Sequence, residues 1–138
     1  MNPIPVLDLS RARRRFEEAL WRRWRNLVDA NAFVLGPEVA EFEAAFSALA
    51  GAAGCVGVAN GTDALTLALR ALELTPGDEV LVPAFSFFAT AEAVLLAGGT
   101  PVFCDIEPST FNLDLGDAAA RVNARTVGII DTSPERID

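Results

Sequence analysis

Between residues 55 and 130, short apolar runs alternate with segments of helical period, and nothing else in this chain narrows its possible folds as much. The apolar runs fall at 55–59, 79–82, 101–105 and 126–130. They are nearly continuous in apolar character, the signature of strands covered on both faces, as in parallel sheets flanked by helices. Between them, residues 62–73 place Leu65, Leu69 and Leu72 on one helical side. Residues 87–97 read as a helix ending at Gly98-Gly99, and 115–123 as a short one. Asn60-Gly61-Thr62, Pro76-Gly77-Asp78 and Glu107-Pro108-Ser109-Thr110 supply the turns. Strand–helix–strand order of this kind predicts an α/β fold with a mostly parallel sheet of four strands and flanking helices.

Ahead of this layer, the first ten residues hold two prolines and read as an extended arm. Residues 11–29 predict a helix with Phe16, Leu20, Trp21, Trp24 and Leu27 on its apolar side. Gly36-Pro37 opens a second helix, proline being suited to a first helical position, and Gly51 closes it. The expected organisation is an N-terminal arm and helix over 1–35 and an incomplete α/β domain over 36–138. The polar stretch 131–138 follows directly on a buried-looking strand, so the chain is expected to stop in mid-domain.

The charge of −8 at pH 7 is unevenly spread. Seven of the 11 basic residues lie within 11–25, beside only two glutamates. The remainder is strongly acidic and repels phosphate backbones, so this cluster reads as a solvated helix face and nucleic-acid binding is not expected. No apolar run reaches the roughly 18–20 residues of a membrane helix, and no basic stretch followed by an apolar one opens the chain. A cytoplasmic protein without membrane contact is therefore expected. The sequence contains no Lys, His or Tyr, so carboxylates and two cysteines are all that remain for acid–base work. Cys55 and Cys104 sit among apolar residues, without the spacing of a disulfide, redox or metal motif, and read as buried structural thiols. No metal site is expected.

Two segments could carry binding chemistry. A strand entering Asn60-Gly61-Thr62-Asp63 and then a helix offers unpaired amides and a partial positive charge to an anion. Gly61 permits close approach, and Thr62 adds a hydroxyl. The same residues also suit a plain capped helix start, with Asn60 or Thr62 as cap and Asp63 favourable to the dipole. The second segment holds Phe85, Phe87 and Phe88 at a strand's carboxyl end, where open α/β sheets bind ligands. These rings are either a flat platform or core packing.

Residues 33–43 (Phe33-Val34-Leu35-Gly36-Pro37-Glu38-Val39, then Glu41-Phe42-Glu43) resemble the opening signature of the DegT/DnrJ/StrS family of sugar aminotransferases. Val56-Gly57-Val58-Ala59-Asn60-Gly61-Thr62-Asp63-Ala64-Leu65 resembles its cofactor-phosphate turn. Pro76-Gly77-Asp78-Glu79-Val80 with Val82-Pro83-Ala84-Phe85-Ser86-Phe87 and Ala89-Thr90 resembles the next block. Pro101-Val102-Phe103-Cys104-Asp105-Ile106-Glu107-Pro108, Thr110 and Asn112 resemble a third, and residues 4–9 its first strand. The resemblance implies the N-terminal part of the large domain of the aspartate-aminotransferase type, that is, fold type I of pyridoxal-phosphate enzymes. It also implies a homodimer with shared active sites and pyridoxal phosphate as cofactor. The implied reaction moves an amino group, commonly from glutamate, to a keto-sugar attached to a nucleotide. Gly61, Thr62 and Asp63 would lie at the cofactor phosphate, Phe87 would stack on the pyridine ring, and Ser86 and Thr90 would line the same pocket.

In the family, the strand at 126–130 leads on to an acidic partner for the ring nitrogen and to the cofactor-linking lysine. Here it leads into 131–138, and no lysine or histidine exists anywhere in the chain. The expectation is thus a truncated aminotransferase with no catalytic residue of its own, inactive alone. The alternatives are a non-catalytic interaction module pairing with a full-length homologue, or a small phosphate or nucleotide binder using the Asn60-Gly61-Thr62 turn.

Overall fold

A computed structural model describes residues 5–132. The first four residues of the expected arm, and residues 133–138 of the polar tail, lie outside that range. The chain divides into two compact units, Met1–Gly57 and Val58–Asp138.

The first unit holds α1 (Ser10–Ala30) and α2 (Pro37–Ala50). Helix α1 ends where Asn31 turns left-handed, its N–H donating to the Val28 carbonyl while the Ala32 N–H reaches Leu27. Pro37 starts α2 and Gly51, also left-handed, stops it. Arg23 and Glu41 pair at 2.7 Å, which raises the already high Arg23 pKa through hydrogen bond and charge, and Glu43 accepts the Gly57 N–H at 2.7 Å. Neither helix buries a residue. The apolar side expected on α1 exists as a stripe, but Phe16, Leu20, Trp21 and Trp24 remain exposed. Residues 5–9, expected as part of a first strand, pair with no strand among the described residues.

The second unit contains α3 (Gly61–Ala71), β1 (Glu79–Pro83), α4 (Ala89–Leu96), β2 (Thr100–Cys104), α5 (Leu115–Arg121) and β3 (Thr126–Ile129). The sheet is parallel in the order β2-β1-β3, with Val80 opposite Pro101 and Leu81 opposite Val102 and Ile129. All five residues of the central strand are buried. Because side chains alternate along a strand, Val80 and Val82 turn to one face and Leu81 to the other. The first face packs with Leu69 of α3 and Ala93 and Val94 of α4, flanked by Leu65 and Leu74. The second packs with Cys104, Leu113 and Ala118. Helical cover on both faces is the α/β arrangement the apolar runs called for.

One feature departs from expectation. Residues 55–59 are not a strand: nothing among the described residues pairs with them, so the sheet has three strands rather than four. An apolar run signals strand preference, but a ladder needs a partner backbone. Glu79, at the start of β1, is buried despite its charge. Its carboxylate is held by Arg125 and by the Asn123 side-chain amide at 2.7 Å, so both oxygens are partnered.

Candidate functional site

The start of α3 settles which residue caps it. Asn60 is extended, at φ −163° and ψ 174°, and its Oδ1 accepts the Asp63 N–H at 2.9 Å. Its Nδ2 donates to Asp63 Oδ2 at 3.0 Å. The cap is therefore Asn60, and Thr62 is left as a first-turn residue whose carbonyl accepts from the Thr66 hydroxyl at 2.9 Å. With the Asp63 amide taken by Asn60 and the Ala64 amide by the Asn60 carbonyl, the Gly61 and Thr62 amides have no acceptor among the described residues. A Cβ on Gly61 would meet nothing within 4 Å.

The second element begins beyond β1. Phe87 and Phe88 precede α4 rather than entering it, since the helix starts at Ala89. Phe87 is 80% exposed, and Phe85 and Phe88 are exposed as well, so these three rings are not core packing within this chain. Thr90 is buried, at 5% exposure; its N–H donates to the Phe87 carbonyl at 3.0 Å and its hydroxyl lies 3.0 Å from that of Ser86. These bonds tie the 86–87 turn to the first turn of α4.

The two elements lie at the same end of the sheet. Arg70, in the last turn of α3, donates to the carbonyl of Leu96, the last residue of α4, at 3.2 Å. The helices pack side by side through Leu65, Leu69, Ala93 and Val94. With their carboxyl ends joined, their amino ends share the opposite end, which brings Gly61 and Thr62 to the side that carries Ser86 and Phe87. This is the carboxyl end of β1, where α/β sheets place ligands. Asp63 instead lines a groove of about 460 Å³ along the flank of α3, with Thr66, Leu67 and Arg70.

One neighbour escaped the sequence reading. Phe111 is left-handed at φ 61°, and its ring lies 5.7 Å from that of Phe85 at 37°. No local signal could have announced it, because a bulky residue rarely takes positive φ. The turn-rich loop on either side was the only hint.

Of the thiols, Cys104 is fully buried, and burial, helped by the nearby Asp117 carboxylate, pushes its pKa up. Cys55 is half-buried. Among the described residues no group of His, Cys, Asp and Glu could hold a metal ion, and no helix is long and apolar enough to cross a membrane.

The three-stranded parallel sheet with helices on both faces has the fold of the N-terminal part of the large domain of the aspartate-aminotransferase type, a partial α/β fragment. Over 95% of this chain it superposes on S. venezuelae DesV with a TM-score of 0.89 and 34% identity, covering 35% of that chain. Residues 15–133 match the DegT/DnrJ/EryC1/StrS aminotransferase family, and the chain belongs to it. It is 43% identical over 127 residues to a UDP-N-acetyl-3-dehydro-alpha-D-glucosamine 3-aminotransferase of Acidithiobacillus ferrooxidans, covering 92% of this chain and 34% of that one. It is 40% identical over 130 residues to a UDP-2-acetamido-2-deoxy-3-oxo-D-glucuronate aminotransferase of Pseudomonas aeruginosa, covering 94% and 36%. The chain thus spans about a third of the length of these relatives.

Proposed function

We propose that these residues are the N-terminal part of a pyridoxal-phosphate-dependent nucleotide-sugar aminotransferase and supply one half of its cofactor site. In this reading residues 36–138 belong to the cofactor-binding domain. The observation that carries it is the pairing, at one end of the sheet, of two unsatisfied amides at Gly61 and Thr62 with the exposed ring of Phe87. A phosphate suits the first, since a helix start offers donors and a partial positive charge. A planar heteroaromatic ring suits the second.

When bound, the cofactor supplies an electron sink for amino transfer from an amino acid such as glutamate to a keto-sugar. The work of this chain is to bind and orient it. Gly61 and Thr62 hold the phosphate, with the Thr62 hydroxyl as a further donor and Asp63 bordering the turn. Phe87 stacks on one ring face, and Ser86 and Thr90 form the adjoining wall. The chain has no lysine, so no side-chain amine can link the cofactor covalently. These 138 residues alone are accordingly inactive, and the parent enzyme acts on nucleotide-linked sugars as a homodimer.

The test mixes the purified chain with pyridoxal phosphate, reduces with borohydride, and maps any labelled peptide beside an assay of amino transfer from glutamate. The reading expects no turnover and no label beyond the α-amino group of Met1. Stoichiometric label elsewhere, or sustained turnover, would contradict it.

A further inference from the structure

We propose that α1 pairs antiparallel with the α1 of a second copy of this chain, through the face that carries Arg14, Glu18, Trp21, Arg22, Arg25 and Asp29. The pairing draws on none of the residues of the cofactor turn. These six side chains are exposed and border an open groove of about 870 Å³ along the helix. Their spacing of three and four residues makes them one stripe. Arg23, which bonds Glu41 of α2, lies two residues from Arg25 and so points about 200° away from it. Helix α2 therefore meets a different side of α1.

The order of the charges names the occupant. Reversed about the midpoint of Trp21 and Arg22, the stripe sets Arg14 opposite Asp29, Glu18 opposite Arg25, and Trp21 opposite Arg22. The first two are opposite charges, and the third lays a guanidinium against an indole. Two-fold symmetry makes every one of these contacts twice. A parallel pair would instead place each charge against its own copy. Slipping the antiparallel pair by about one turn sets Arg14 against Arg25, or Glu18 against Asp29. Slipping it by about two turns sets Glu18 or Arg25 against itself. One direction and one register satisfy the stripe, since facing like charges exclude the others. The charges are also available. Arg14, Glu18, Arg22, Arg25 and Asp29 form no ion pair among the described residues, although opposite charges stand four apart within the stripe, whereas Arg13 and Glu17 beside them pair at 3.5 Å. A polyanion or an anionic surface would meet Glu18 and Asp29 among the arginines, which a second copy turns to use.

The test follows self-association of the 138-residue chain by sedimentation equilibrium at low salt. The wild-type chain is expected to form dimers that weaken as salt rises, because exposed charges are screened. Glu18→Arg and Arg25→Glu should each weaken dimerisation about tenfold, since symmetry turns two attractions into two repulsions. Combined in one chain, the two reversals should restore wild-type association. An equimolar mixture of the two single variants should form a heterodimer for the same reason. Helix stability cannot produce either recovery, because the like-charge neighbours that the reversals create within α1 are still there. Association unchanged by both single reversals, as contact through the exposed aromatic rings would give, overturns the pairing. Failure of the double variant or of the mixture to recover overturns it as well. So does a wild-type chain that stays monomeric at about 1 mM, where an interface of a few exposed pairs should be partly filled.

Discussion

The two units of this chain treat their apolar residues in opposite ways. In residues 5–57, two well-terminated helices carry aromatic stripes and bury nothing. In residues 58–132, shorter helices enclose a strand whose every residue is buried. The contrast separates two things that sequence patterns merge. Helix termination is local, and α1 and α2 show it in the left-handed Asn31 and Gly51 that end them. Burial requires a second surface, and the central strand provides one on each face. An apolar side chain left in water forgoes about 1.5–3 kcal/mol of transfer free energy. The first unit therefore presents Trp21 and Trp24 as surface, and the second holds the stability of the described chain.

The largest expected effect is on that division of stability. Leu81→Ala should lower the protection of β1 amides against hydrogen exchange by about 2–5 kcal/mol, as deletion of a fully enclosed side chain does. Trp24→Ala, although it removes a larger side chain, should change the same protection by no more than about 0.5 kcal/mol. Equal effects would dissolve the contrast.

The cysteines sharpen it chemically, one lying in each unit. Cys104 has no exposed surface and a pKa pushed up by burial and by Asp117, so its thiolate is scarce as well as inaccessible. Alkylation under native conditions should label Cys55 at least about a hundredfold faster, read by mass spectrometry of the peptides. Comparable rates would mean that the second core opens readily.

The smallest effect is in acid. The Asp117 carboxylate bonds Arg121 at 2.7 Å and the Asp105 amide at 2.7 Å, which holds its pKa below the ordinary 3.8. A depressed folded pKa stabilises the folded form above the unfolded value. That contribution is complete above about pH 5 and is lost as pH falls through 3.8 toward the folded pKa. Asp117→Asn should remove this part of the acid dependence of the second unit and leave the profile above pH 5 unchanged in shape. An unaltered acid limb would show that these bonds form equally in the unfolded chain.

Much of this arrangement was legible in the sequence. The three paired strands, the five helices and the turn at Asn60-Gly61-Thr62 follow from apolar runs, periodicity and capping residues. What could not be read depends on partners distant in sequence. Residues 55–59 have the composition of a strand and no ladder. Glu79 is buried because Arg125 and Asn123 reach it from more than 40 residues away. Within the site, the sequence left Asn60 and Thr62 as rival caps and the phenylalanines as platform or core. Backbone geometry selects Asn60, and exposure selects the surface. Phe111 beside Phe85 depended on a left-handed backbone that no residue type there announces.

The central claim is that the α3 turn and Phe87 form one half of a shared cofactor site, and titration of the labelled chain with pyridoxal phosphate tests it most directly. Shifts are expected at the Gly61 and Thr62 amides together with the Phe87 ring, saturating with a single affinity and no covalent adduct at a side chain. Shifts confined to α1, or separate affinities for the turn and for Phe87, would contradict it.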